Sequence, residues 1–270
     1  MNHDRDIRAL AGRELLLFGS AIALICFAAG RILGFGWGRE IAPTLVALSF
    51  LFTALERVRR DPRGSSHYGV ALGGLLMPVT EAADPATSQA SPRSPDASDP
   101  PSAPSKKSPP SRPYAAMFLE AARESAYALR IALFTFPPFI LAYALIHGAS
   151  DSFSLDAIAI SPLFILSQFL IIALTEEVFF RGYLQTRLGD LFPARRRILG
   201  ASLSLPALFV QAAYFALIHF LVIPHPSRLS VFFPALLFGY MRERRGGVGA
   251  AIVYHALCNL LAEALHQGYA

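Results

Sequence analysis

The chain is poor in charge. Of its 270 residues only 16% are Asp, Glu, Lys or Arg, whereas 54% are hydrophobic and the mean hydropathy is +0.44. Soluble domains carry about a quarter charged residues, so an ordinary water-soluble globule is excluded. Cysteine is nearly missing too. Cys26 and Cys258 both fall inside apolar runs, without the spacing of a redox or metal motif. That leaves no basis for a disulfide framework or a cysteine-rich zinc site. No HExxH segment is present and no repeat of fixed period is apparent, so the signatures of a zincin and of an inverted-repeat transporter are both lacking. A removable signal peptide is not indicated either. Met1–Arg13 is long and polar for a signal n-region, and Arg31 and Trp37 follow the first apolar run where small residues would be needed for cleavage. The first helix is expected to be retained.

What the chain has is long apolar runs. They cover Leu15–Gly30, Ile41–Leu55, Ile131–His147, Ala157–Thr175, Ile198–Ile223, Leu229–Met241 and Val248–Leu265. A spanning helix takes about 20 such residues. The expected fold is therefore an all-α, polytopic membrane bundle of about seven transmembrane helices. The net charge of +5 fits this arrangement. With the N-terminus inside, nearly every Arg and Lys falls on the inner side, and only Arg31, Arg39 and Arg228 are left outside. That is the positive-inside asymmetry. It accounts for basic runs such as Arg195-Arg196-Arg197 as headgroup anchors, without a nucleic-acid partner. The expected location is a bacterial inner membrane, crossed several times.

Composition also divides the chain. Residues 1–60 form an N-terminal hairpin of two apolar runs, and 61–113 a linker. From about Thr80 that linker is almost entirely Pro, Ser, Ala and charge. A segment of this kind cannot bury enough apolar surface to offset its ordering entropy, so disorder is expected. Tyr68–Pro78 is apolar but short and glycine-rich, an interfacial or re-entrant piece. Residues 114–270 make the main domain. Tyr114–Arg130 reads as an amphipathic helix along the inner surface before the chain dives at Ile131. Pro137-Pro138 is expected to kink the span that follows.

Polar groups inside the oily runs carry the chemistry. Thr175-Glu176-Glu177-Val178-Phe179-Phe180-Arg181 continues an apolar run through two carboxylates. A charge at membrane depth costs about 2.5–3.5 kcal/mol on insertion scales, so such groups persist where paired or facing a wet cavity. Glu177 and Arg181 stand at i and i+4 and can pair. Glu176 points about 100° away and is left for another task. The bland alternative is a helix that simply ends at the interface. His219 lies in a second apolar helix one turn after Phe215, and His255 and Asn259 share a face of the last. Alone, each is ordinary bundle glue. Together they form the set that peptide hydrolysis requires. A poorly hydrated carboxylate is a strong base, an imidazole holds water and shuttles protons, and paired N–H donors face a developing oxyanion. No serine or cysteine is placed to act as a covalent nucleophile.

These motifs carry a resemblance. EEVFFR fits EExxxR, Phe215–His219 fits FxxxH and His255–Asn259 fits HxxxN, in the order found in the CAAX protease and bacteriocin-processing (Abi) family of intramembrane endopeptidases. The resemblance covers roughly Tyr114–Ala270 and leaves the N-terminal hairpin and the linker outside it. It implies a membrane-embedded cavity in which Glu176 and His219 activate water and His255 with Asn259 forms the oxyanion site. In that scheme Glu177, Arg181 and Phe215 have supporting roles. It also implies a glutamic-type endopeptidase without a cofactor, acting on a membrane-associated protein or peptide near its C-terminus: a prenylated tail, a bacteriocin-like peptide or a sorting tail. Two alternatives stand beside it. One is a zinc-dependent variant, since two histidines and a glutamate are legitimate ligands. The other is a non-enzymatic peptide-binding or bacteriocin-immunity protein on the same fold.

Overall fold

A computed structural model describes residues 2–32, 36–72, 76, 113–147 and 152–269. The expected disorder from about Thr80 onward, and positions 73–75, 77 and 78 of the segment Tyr68–Pro78, lie outside these residues. Within them the chain is almost wholly helical. The helices are α1 (Asn2–Ile32), α2 (Gly36–Arg60), the short α3 (Gly64–Tyr68), α4 (Pro113–His147), α5 (Pro162–Leu191), α6 (Leu205–Val222), α7 (Phe232–Arg245) and α8 (Gly249–Gly268). A two-stranded hairpin, β1 (Arg196–Ile198) and β2 (Ala201–Leu203), links α5 to α6.

Large apolar side chains face outward along these helices. Leu16, Leu17, Leu24, Phe118 and Phe134 are all exposed. A protein in water rarely tolerates such a surface; in lipid it is the favoured one. Each of the seven apolar runs contributes to a helix, but four helices among the described residues are long and apolar enough to cross a membrane: Ala11–Ile32, Tyr114–Leu145, Pro162–Leu191 and Leu205–Val222. The other three fall short for physical reasons. Helix α2 is charged at both ends, and α8 carries His255, Asn259, Glu263 and His266. The 14 residues of α7 reach only about 21 Å at 1.5 Å each, against a hydrocarbon core of about 30 Å.

Three local expectations are revised. Nothing breaks the chain between Tyr114 and Ile131, and the amphipathic segment and the following span are one helix of 35 residues. Its helical assignment also runs through Pro137 and Pro138. The apolar run from Ile198 begins not as helix but as the hairpin, because Leu199 and Gly200 both take positive φ (46° and 81°). That is the requirement of a two-residue type I′ loop.

The core sits where the N-terminal hairpin meets α5 and α6. Phe50 of α2 stacks on Phe179 at 5.0 Å and meets Phe180 edge-on at 5.3 Å, and Phe180 in turn meets Phe215 at 4.8 Å. A polar clamp secures one end of this core. Arg63 bonds both Asp61 and Asp190, while Arg187 bonds Glu14 and Asp190. Burial alone would raise the Asp61 pKa, but bonds from Arg63 and Tyr68 outweigh it and hold the carboxyl well below the usual range.

Contact between α1 and α6 is closest at Gly30, where an added Cβ would lie 2.5 Å from the Val222 carbonyl oxygen and 2.7 Å from that of Leu221. Backbone carbonyls cannot swing aside. Gly30→Val should therefore push α1 off α6 and destabilise the protein by about 1–3 kcal/mol. In a Cys258→Ala background, the fully buried Cys26 should become reactive to a maleimide. An unreactive Cys26 with an unchanged unfolding midpoint would show that the two helices are not in contact.

Candidate active site

Helix α5 is not a uniform α-helix. Two wide π turns, Gln168–Ala173 and Val178–Leu184, flank the short α segment Leu174–Glu177. Such bulges recur at functional sites because they change the angular register of the side chains around them. The helix does not end at the glutamates, so the alternative of a simple helix terminus at the interface falls away.

The two glutamates have different surroundings. Glu177 is sealed: its Oε1 accepts from Arg181 Nη1 at 2.9 Å, and both side chains are 0% exposed. The same oxygen accepts from His255 Nδ1 at 2.8 Å. One carboxylate thus holds both the arginine of its own helix and the histidine of α8. Arg181 is enclosed by aromatic faces, with Phe215 at 4.3 Å and Phe238 at 4.8 Å, an arrangement that favours a desolvated cation. Phe238 also stacks on His255 at 4.9 Å and Phe215 packs against His219 at 4.3 Å. The aromatic rings fix both imidazoles.

Glu176 is open by contrast. It lines a cavity of about 190 Å³, with 14% of its side chain exposed and 23% of that of His219. Its Oε2 is buried without a hydrogen-bond partner. That oxygen lies 3.9 Å from His219 Nε2 and 3.8 Å from His255 Nε2. These separations are too long for direct hydrogen bonds, so both nitrogens face Glu176 Oε2 at non-bonded distance. Both imidazoles aim Nε2 at that point for the same reason: each Nδ1 is occupied. His219 Nδ1 donates to the Phe215 carbonyl at 2.9 Å and His255 Nδ1 to Glu177, so the ring orientation is set from behind.

Asn259 is one turn from His255 as the spacing requires, but one of its N–H groups donates to Gln168 Oε1 at 2.9 Å. A second N–H is left for other use. The structure thus gathers Glu176, Glu177, Arg181, Phe215, His219 and His255 around one point and holds Asn259 through Gln168. Among the described residues no group of three or more His, Cys, Asp and Glu is arranged to hold a metal ion.

Sequence reasoning did not anticipate Gln168, Phe238 or Arg228. Gln168 had a usable signal, as a lone amide in an apolar run. Phe238 had none, being one phenylalanine among 21. Arg228 was noted as an outside charge; it lines the Glu176 cavity, and its guanidinium has no acidic partner among the described residues. A larger cavity, about 630 Å³, is lined by Leu174 and Ile252 and edged by Glu124 and Arg245, but includes none of the motif groups.

Comparison with known proteins adds one finding. Residues 158–261 match the family model described as Type II CAAX prenyl endopeptidase Rce1-like. The match covers all three motifs and agrees with the resemblance drawn from them. No curated protein and no solved structure matches the chain.

The sealed pair gives a test. Removing one partner of a buried ion pair leaves an uncompensated charge and costs about 3–5 kcal/mol. Arg181→Met should lower the unfolding midpoint sharply, and adding Glu177→Gln to it should restore part of the loss. Two additive losses would show that the groups are not coupled.

Proposed function

We propose that the chain hydrolyses a peptide bond near the C-terminus of a membrane-associated protein or peptide, using water activated by Glu176 and His219, a reading supported by the match of residues 158–261 to the Rce1-like family model. One observation carries this reading: the buried Glu176 Oε2, without a hydrogen-bond partner, lies 3.9 Å from Nε2 of His219 and 3.8 Å from Nε2 of His255, beside a cavity that Glu176 and His219 line. Its neighbour Glu177, by contrast, is held through Oε1 by Arg181 and His255.

The chemistry follows from the geometry. A water held by Glu176 and the Nε2 lone pair of His219 gives its proton to the carboxylate as its oxygen attacks the scissile carbonyl. The oxyanion that forms is met by His255, donating from a protonated Nε2, and by the free N–H of Asn259. Glu177, bonded to Nδ1, keeps the His255 ring in place. The proton on Glu176 passes to the departing amine as the C–N bond breaks. This sequence needs no cofactor. Two imidazole nitrogens beside a carboxylate also suit zinc, so the assay includes a chelator. The substrate end is suggested by Arg228, an acid-free guanidinium on the wall of the same cavity. A terminal carboxylate is the natural partner for such a cation. The inner membrane with the N-terminus inside is the topology that the arginine distribution favours.

Glu176→Gln and His219→Ala should each lower turnover of a membrane-anchored peptide by about 100- to 10,000-fold while the protein still inserts and unfolds normally. Activity should persist in chelator. Unchanged turnover in either variant sinks the mechanism, and inactivation reversed by zinc would replace it with a metal-dependent one. Separately, Arg228→Gln should raise KM about tenfold for peptides ending in a free carboxylate, roughly 1.4 kcal/mol, and leave C-terminally amidated peptides unaffected. An equal effect on both would remove Arg228 from substrate recognition.

A further inference from the structure

The Glu176 cavity is built only in part by the helices that carry the motifs. Ile172 of α5 and Ile218 and Val222 of α6 form one side; Ala29 of α1 and Val46, Ala47 and Phe50 of α2 form the other. These four residues belong to the N-terminal hairpin, which lies outside residues 158–261. Their placement is tight. Ala29 and Ala47 are each 5% exposed, Gly30 brings α1 against the α6 backbone, and Phe50 is stacked on Phe179 within the first motif. The hairpin is thus a fixed wall facing the presumed reacting groups.

We infer that this wall determines substrate selectivity: Ala29, Val46 and Ala47 set the size of an aliphatic substrate side chain admitted beside Glu176. This rests on reading the cavity as a protease's substrate site. The lining argues for the side-chain class. Apart from Glu176, His219 and Arg228 it is entirely apolar. Its volume of about 190 Å³ is below the range of about 300–1,000 Å³ typical of whole-ligand pockets, which suits one side chain and adjoining backbone. Two alanines leave the space and Val46 narrows it. In a close-packed apolar pocket one methylene changes selectivity by about 10- to 200-fold, so small changes in the wall are readable.

The experiment uses the full chain in liposomes with a membrane-anchored peptide library randomised at its four C-terminal positions. Cleaved products are read by mass spectrometry. Capture of the same peptides is read in parallel on immobilised Glu176→Gln protein, which retains the wall without the base. Ala47→Leu should disfavour leucine-bearing peptides at least tenfold relative to alanine-bearing ones in both readouts, and Val46→Ala should shift the preference toward larger side chains. Opposite shifts from the two variants distinguish a wall from general damage, and Val46→Ala remains informative if Ala47→Leu does not fold. Unchanged profiles in folded variants overturn the inference even where cleavage is robust. Selective capture that shifts as expected, with no cleavage by the wild type, supports the wall and refutes proteolysis. Neither cleavage nor selective capture overturns both.

Discussion

Everything at this site depends on one carboxylate oxygen. Glu177 Oε1 accepts from Arg181 on its own helix and from His255 on α8, and so joins two helices at the point where the presumed chemistry takes place. A buried ion pair is a weak source of stability, since an apolar pair of the same shape often serves as well. What an apolar pair cannot supply is direction. By holding His255 Nδ1, Glu177 turns Nε2 toward Glu176; without that bond the ring has only the packing of Phe238 and Phe215 to orient it.

The surrounding residues make this arrangement tolerable in lipid. Arg181 donates to the carbonyl of Ala235 and lies among the faces of Phe180, Phe215 and Phe238, exchanging hydration for π electron density and a backbone dipole. Its charge is matched by Glu177 a turn away. The outer faces of the helices can then stay apolar, because the charged groups are gathered in the interior. The membrane-facing and polar faces of α5 therefore make separate demands on the same helix.

Much of the site was legible in the sequence, for local reasons. Spacing of i and i+4 on one helix places Glu177 with Arg181, and Phe215 with His219, wherever the helix goes. Partners on different helices left no such trace. Nothing in the spacing of HALCN says that the Asn259 amide meets Gln168, 91 positions earlier, or that Phe238 stacks on His255. The bundle itself was readable from its apolar runs, but where helices begin was not. Pro162 and Leu205 start α5 and α6 several residues inside their runs, because hydrophobicity marks what lipid accepts, not what conformation the backbone takes. Gly200 with its positive φ could have flagged the hairpin at Ile198–Ala201; the apolar residues around it masked the turn.

Glu176 and Glu177 give the argument its sharpest form. They are the same residue, adjacent, on one helix, under one bilayer, and differ only by the rotation between successive positions. That rotation puts one carboxylate against Arg181 and His255, which both bond its Oε1, and leaves Oε2 of the other beside two imidazole nitrogens with nothing bonded to it. The first is committed to the donors that hold it, whereas the second stands beside two nitrogens fixed from behind. The proposed division into base and support rests on helical geometry and burial, and both carboxylates fall within residues 158–261, the span matched by the family model.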